Sequence, residues 1–151
     1  MLSFFQIDIV SLFIQLLLAV LLGGLVGIER NLAHKTAGLK TFALVSLGSA
    51  VFVIISEMIF NQLSAGVNFD PSRIAGQIIV GIGFLAGGMI IFNNNKVENL
   101  TTSAGIWVAA GIGMAVGFKF YVLAVLTTIL TLIIFILFVT VEKSIEEIKE
   151  K

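Results

Sequence analysis

The chain has 151 residues, of which 58% are hydrophobic and only 12% charged, and nine basic residues balance nine acidic ones. Soluble domains carry roughly twice that share of charge, so an ordinary water-soluble fold is excluded, and a neutral balance gives no footing for nucleic acid. The absence of cysteine removes disulfides, thiolate metal sites and a thiol nucleophile.

The first element is a charge-free run from Ile9 to Ile28 that stops at Glu29-Arg30. About 20 apolar residues are what a helix needs to cross hydrocarbon, and an abrupt pair of ions marks the headgroup level. The run is too long for a signal-peptide core and has neither a preceding basic residue nor a small-x-small cleavage site, so it is expected to be retained. Four more apolar stretches follow: Leu39 to Ile59, Ile74 to Phe92, Thr101 to Gly117, and Phe120 to Val141. The fourth span is marginal, reaching about 26 Å at 1.5 Å per residue against a core of about 30 Å.

Charge asymmetry decides whether it crosses. With five spans and the N-terminus outside, Arg30, Lys35, Lys40, Lys96, Lys143, Lys149 and Lys151 are inside and only Arg73 and Lys119 outside. If Thr101 to Gly117 did not cross, the split would be five against four. Cytoplasmic loops collect Lys and Arg, so the expectation is an all-α polytopic bundle of five transmembrane helices, N-terminus out and C-terminus in. Residues 1–141 form the membrane domain, and 142–151 (EKSIEEIKEK) form a charged helical tail that follows the last span. Short loops make successive helices antiparallel neighbours.

Glycine is concentrated in the first, third and fourth spans. Lipid gives helices no hydrophobic reason to associate, so small residues that let backbones approach supply the packing. The i,i+4 pairs Gly23 with Gly27, Gly83 with Gly87, and Gly113 with Gly117 each make a flat face, within the subunit or across a dimer. The cluster GIGFLAGG (81–88) admits two readings, close packing or a broken third helix around a wet cavity. Trp107 lies in mid-span, which points to packing between helices with Thr102 or Ser103 accepting from its indole N–H.

Few charges remain. Asp70-Pro71-Ser72-Arg73 reads as a helix start, with Asp70 as N-cap and Pro71 at N1. Arg73 opposes the helix dipole there and calls for a carboxylate, Glu57 or Asp70. Gln77, one turn on, extends a polar stripe into the membrane, and an ionisable group so close to hydrocarbon is a functional candidate, expected to face protein or a pocket. Asp8, Glu57 and Asp70 gather on the outer side and are weak candidates for a hard cation, although no spacing requires one. On the inner side, adjacent helical positions point about 100° apart, so Glu29 and Arg30 are expected to pair elsewhere, Glu29 with Lys40. His34 stands alone, and no His or Cys is placed to activate Ser or Thr, so nucleophilic catalysis has no support and no cofactor is expected.

Four ordered segments, GGLVGIER (23–30), AGLKTFALVSLGSA (37–50), DPSRIAGQIIVGIGFLAGGMI (70–90) and LTTSAGIWVAAGIGMAVG (100–117), resemble the membrane domain of the bacterial MgtC/SapB family. The resemblance runs from about Leu21 to Phe135. The chain departs from the family pattern at Lys40, where Arg is usual, and at Ala86, Gly88, Asn99, Ser103 and Ala104, which exchange small residues. The resemblance implies a non-enzymatic protein of the bacterial cytoplasmic membrane, linked to growth at low magnesium and, in pathogens, to virulence. It also implies a homodimer that contacts other membrane complexes, the ATP synthase among them, with Glu29, Arg30, Lys40, Asp70, Arg73, Gln77, Thr101 and Thr102 as its polar functional cluster. The resemblance also implies that members commonly carry a soluble C-terminal domain resembling an ACT fold, which these 151 residues do not include. The rival reading is a small transporter or channel for Mg²⁺ or another ion, with the outer carboxylates collecting the cation.

Overall fold

Polar residues at the helix ends set where each element starts and stops. A computed structural model describes residues 8–63, 70, 72–93 and 96–149, with the side chains of 62–63 and 139–149 excepted. The elements are α1 (Ile9–Leu32), α2 (Leu39–Leu63), α3 (Ser72–Gly87), β1 (Ile91–Asn93), β2 (Lys96–Glu98), α4 (Leu100–Gly117) and α5 (Tyr121–Lys149). The Asp8 carboxylate opens α1 by accepting from the Val10 amide at 3.1 Å. Helices α1 and α4 close alike, with a left-handed residue after the last turn, His34 (φ 53°) and Lys119 (φ 63°). After α1, the His34 amide donates to the Asn31 carbonyl and the Lys35 amide to that of Arg30; after α4, the Lys119 amide donates to Val116 and the Phe120 amide to Ala115. This paired bonding satisfies carbonyls that a helix end leaves open, at sites where glycine is usual.

Among the described residues, four helices are long and apolar enough to cross a membrane: Ile9–Leu32, Leu39–Asn61, Leu100–Gly117 and Tyr121–Phe138. Helix α3 is the short apolar exception. The expected third span, Ile74 to Phe92, ends at Gly87 instead. Ile91–Asn93 then pairs antiparallel with Lys96–Glu98, with Phe92 opposite Val97. Residue 71, expected at N1, the loop 64–69 and the charged side chains of the tail lie outside the described residues. The backbone of α5 continues helical to Lys149, as the tail was expected to.

Successive helices alternate in direction. The ends of α1 and α3 and the starts of α2 and α4 meet at one end of the bundle. There Thr36, between α1 and α2, donates to Asn99 Oδ1 (2.9 Å), and Asn99 Nδ2 donates to the Met89 carbonyl past α3 (3.1 Å). The start of α5 lies at the other end, with Tyr121 beside Asp8 and Val10.

Helix α4 is the axis, touching each of the other four, while α2 packs on α1, α4 and α3. The tightest crossing is at Ser46. A Cβ placed at Gly23 would lie 2.5 Å from Ser46 Cβ, and one at Gly113 would run into the Ser46 carbonyl. The Ser46 hydroxyl donates to the Ala19 carbonyl at 2.8 Å. Gly27 and Gly117 extend the same seams, with added Cβ atoms 2.6 Å from Leu39 Cα and 2.7 Å from Val53 Cβ. Two of the three expected glycine pairs therefore pack within the subunit.

The third does not. A Cβ at Gly83 or Gly87 meets nothing within 4 Å, and the same holds for Gly76 and Gly81. The GIGFLAGG segment is not closely packed through these glycines, and the helix stops within it at Gly87, where Gly88 and Met89 form a turn. Trp107 is also corrected: it is 51% exposed, while Thr102 and Ser103 are buried. Position 102 lies about 140° around the helix from 107, and Ser103, one turn before Trp107 and only about 40° away, has a hydroxyl with no partner among the described residues, so the expected bond is not formed.

These contrasts generate a test. Gly113→Ala forces α2 and α4 apart and should cost about 1–3 kcal/mol, whereas Gly83→Ala has room and should gain up to about 1 kcal/mol from helix propensity. Unfolding of the purified variants in detergent measures both.

Candidate functional site

Arg30 closes α1 as the basic residue of its last turn, where the helix dipole favours a cation by about 0.3–1 kcal/mol. It is only 1% exposed and is among the largest fully buried side chains of the described residues. A guanidinium so buried needs its charge matched and its donors used. Glu29 does both: Arg30 Nη2 donates to Glu29 Oε1 at 2.6 Å, and Arg30 Nε donates to Oε2. This corrects the expectation that the two neighbours pair elsewhere. The 100° between adjacent positions separates the Cα–Cβ directions, and two long side chains bridge it once burial leaves Arg30 without water. Lys40, the expected partner of Glu29, is exposed.

The third member comes from α5. The Phe135 ring lies under the guanidinium, with Arg30 Cζ 3.7 Å from its centroid, a cation–π contact worth about 0.5–2 kcal/mol. Phe135 reaches this place because α4 has Gly105 there; a Cβ at 105 would lie 2.7 Å from Phe135 Cζ and 3.2 Å from Phe42. Thr102 and Ser103, in the first turn of α4, are buried, and the Ser103 hydroxyl has no partner among the described residues. Thr101 is exposed. Of the expected polar cluster, Glu29 and Arg30 are thus joined, with Thr102 buried at the same end of the bundle.

Arg73 and Gln77 begin α3, at the opposite end, and both are exposed. The expectation that Arg73 is sheltered between helices is corrected: the sheltered guanidinium is Arg30, and the one ion pair among the described residues is Arg30 with Glu29. At an exposed helix start, water screens the unfavourable dipole, so nothing forces Arg73 inward. Asp70 is the expected cap, accepting from the Ser72 amide at 2.9 Å and the Ser72 hydroxyl at 2.8 Å. The hydroxyl and then the amide of Ser72 hold the Asp70 carboxyl below its usual range; slight desolvation opposes them, and Arg73 adds a smaller pull.

The three outer carboxylates do not converge. Asp8 and Glu57 line one cleft of about 320 Å³ with Gln15, Asn61 and Lys119, and Asp70 is not among its lining residues. No group of three or more His, Cys, Asp or Glu residues placed to hold a metal occurs among the described residues. Gln15, which the sequence reading passed over, is buried and donates from Nε2 to the Val116 and Gly117 carbonyls at 2.8 and 2.9 Å. An amide from α1 thus serves the last turn of α4. Its sequence signal was a lone polar residue inside an apolar run, which within a membrane has to find partners. Phe135, one of 13 phenylalanines, carried no such signal.

The Arg30 arrangement predicts unequal mutational costs. Glu29→Gln leaves a buried uncompensated cation and should destabilise the protein by about 3–5 kcal/mol, whereas Glu29→Gln with Arg30→Met should recover most of that loss. Thermal and denaturant unfolding in detergent would show it.

Comparison with known proteins places this geometry. A family model described as the MgtC family matches residues 16–144, which contain Glu29, Arg30, Gly105 and Phe135. The chain is 42% identical over 123 residues to "Putative magnesium transporter YhiD" of Escherichia coli K12, covering 80% of this chain and 57% of that protein. It is 44% identical over 119 residues to "Protein MgtC" of Salmonella typhimurium, covering 79% and 48%, and 42% identical over 99 residues to "Protein MgtC" of Brucella abortus, covering 66% and 39%. The chain therefore spans about half the length of the curated relatives it matches. No solved structure matches. With a family match over most of its length and four membrane-length helices around a buried Arg30, this multi-pass membrane protein belongs to the MgtC family.

Proposed function

We propose that this chain is a non-enzymatic protein of the bacterial inner membrane that crosses the bilayer five times, N-terminus out and C-terminus in. In this reading it supports adaptation to low magnesium by engaging other membrane proteins, as a homodimer. The observation that carries the proposal is the uncovered face of α3. Gly76, Gly83 and Gly87 fall within about 40° of one another around the helix, and an added Cβ at each meets open space. The glycine pairs of α1 and α4 are used within the subunit, so α3 keeps a small-residue face for a helix from another chain. Alternating helix directions and the exposed apolar side chains of Ile91, Phe92 and Val97, which lengthen the apolar height beyond α3, support five crossings. The magnesium link rests on the names of the relatives, MgtC and YhiD.

A second reading, ion transport, is favoured by the cleft that brings Asp8 and Glu57 together and by the transporter name of the Escherichia coli relative. Against it, α3 is continuous helix from Ser72 to Gly87, and the space between α2 and α3 is almost wholly apolar. Gly83→Leu should not lower the melting temperature yet should abolish rescue of growth at low magnesium in a strain lacking the protein. Proteoliposomes of the unaltered chain should pass no more Mg²⁺ than empty ones. A Mg²⁺ flux that falls on Glu57→Gln would replace this reading with transport.

A further inference from the structure

A groove of about 490 Å³ runs along the flank of the bundle between α2 and α3, open at its side. Gly48 on one wall and Gly81 on the other make it, since a Cβ at either position would meet nothing within 4 Å. Its α3 wall extends from Ile74 to Leu85, about 16 Å along the axis. A hydrocarbon chain can lie along apolar walls of that length.

Two polar groups in the lining are not explained by the fold. Ser49 is 2% exposed, lines the groove, and its hydroxyl has no hydrogen-bond partner among the described residues. Gln77 lines the groove near the start of α3 and is exposed as a residue. Arg73 stands one turn before Gln77 on the same side of the helix, exposed and in no ion pair among the described residues. Nearby Asp70 has both carboxylate oxygens engaged by Ser72. Beyond the groove's mouth thus stands an exposed cation, with Gln77 about 6 Å deeper along α3, a buried hydroxyl with no partner among the described residues, and then only apolar walls.

That order matches a glycerophospholipid read from phosphate to ester to acyl chain. We infer that the α2–α3 groove is a binding site for one anionic phospholipid. The Arg73 guanidinium pairs with its phosphate, the Gln77 amide and the Ser49 hydroxyl donate to its ester carbonyls, and one acyl chain lies over Gly48 and Gly81 towards Leu85. The hydrocarbon satisfies the apolar walls that α3 leaves uncovered, and the esters satisfy Ser49, which water in that position would reach only by entering a nearly wholly apolar slot. This inference is independent of the proposed function, because Gly81 and Gln77 lie on a different side of α3 from Gly76, Gly83 and Gly87.

The test uses the full chain in nanodiscs of equal phosphatidylglycerol and phosphatidylcholine, followed by native mass spectrometry of the lipid retained after extraction. The unaltered chain should keep one phospholipid, with phosphatidylglycerol favoured roughly fivefold, as one interfacial arginine supplies. Gly81→Leu and Gly48→Leu, which fill the groove from opposite walls, should each abolish retention with the melting temperature unchanged. Arg73→Gln should keep a lipid but lose the headgroup preference. A photoactivatable acyl chain reports the site without any substitution and should label peptides containing Leu44 and Leu85. No retained lipid on the unaltered chain, retention indifferent to both leucine variants, labelling confined to other helices, or a second protein chain in the groove would each overturn the inference.

Discussion

The bundle depends on how closely α2 lies between α1 and α4 at Ser46. In hydrocarbon no hydrophobic force draws helices together, so association rests on backbone contact and on hydrogen bonds that have no competitor. Gly23 and Gly113 meet Ser46 from two sides, and its hydroxyl is bonded to the Ala19 carbonyl. Gly27 and Gly117 carry the contact towards either end. With three helices fixed at that spacing, α4 becomes the axis, and α3 and α5 attach to its remaining faces.

Polar groups then fix register at both ends. Gln15 of α1 donates to the last carbonyls of α4, and Arg30 of α1 reaches across to Phe135 of α5. The Arg30 contact exists only because Gly105 leaves room for the ring, so one glycine links the charge to the fifth helix. A buried ion pair contributes little net stability against apolar replacements, but breaking it is costly, which makes it a device for holding one arrangement. Helix α3 has no comparable anchor. It buries only Ile78 and Ala86 among its own residues and leaves most of its glycines to the surroundings.

The membrane character, the five helices and most of their bounds were legible in the sequence, because apolar length and ionic punctuation act locally. The cap at Asp70 was legible for the same reason, and so was the packing of Gly23, Gly27, Gly113 and Gly117. Spacing alone did not separate those pairs from Gly83 and Gly87, since an i,i+4 pair makes a flat face whether or not a partner arrives. The hairpin at Ile91–Glu98 was hidden inside an apolar run that serves a strand as well as a helix. The Arg30 site was half legible. The charges at a helix end were visible, but their mutual pairing follows from burial under other helices, and the Phe135 ring comes from more than 100 residues further along the chain. Arg73 drew attention by its awkward place at a helix start, and exposure resolved that awkwardness without burial.

The close approach of α1 and α2 can be measured directly, because the chain has no cysteine of its own. A Cβ at Gly24 lies 3.9 Å from Ala43 Cβ, within the separation a disulfide spans. A chain carrying Gly24→Cys and Ala43→Cys, oxidised in native membranes and resolved by non-reducing electrophoresis and peptide mapping, should form the intrachain bond nearly completely. Two thiols that stay free under the same oxidation, in a chain that still inserts and folds, would contradict the glycine-mediated contact on which the bundle is built.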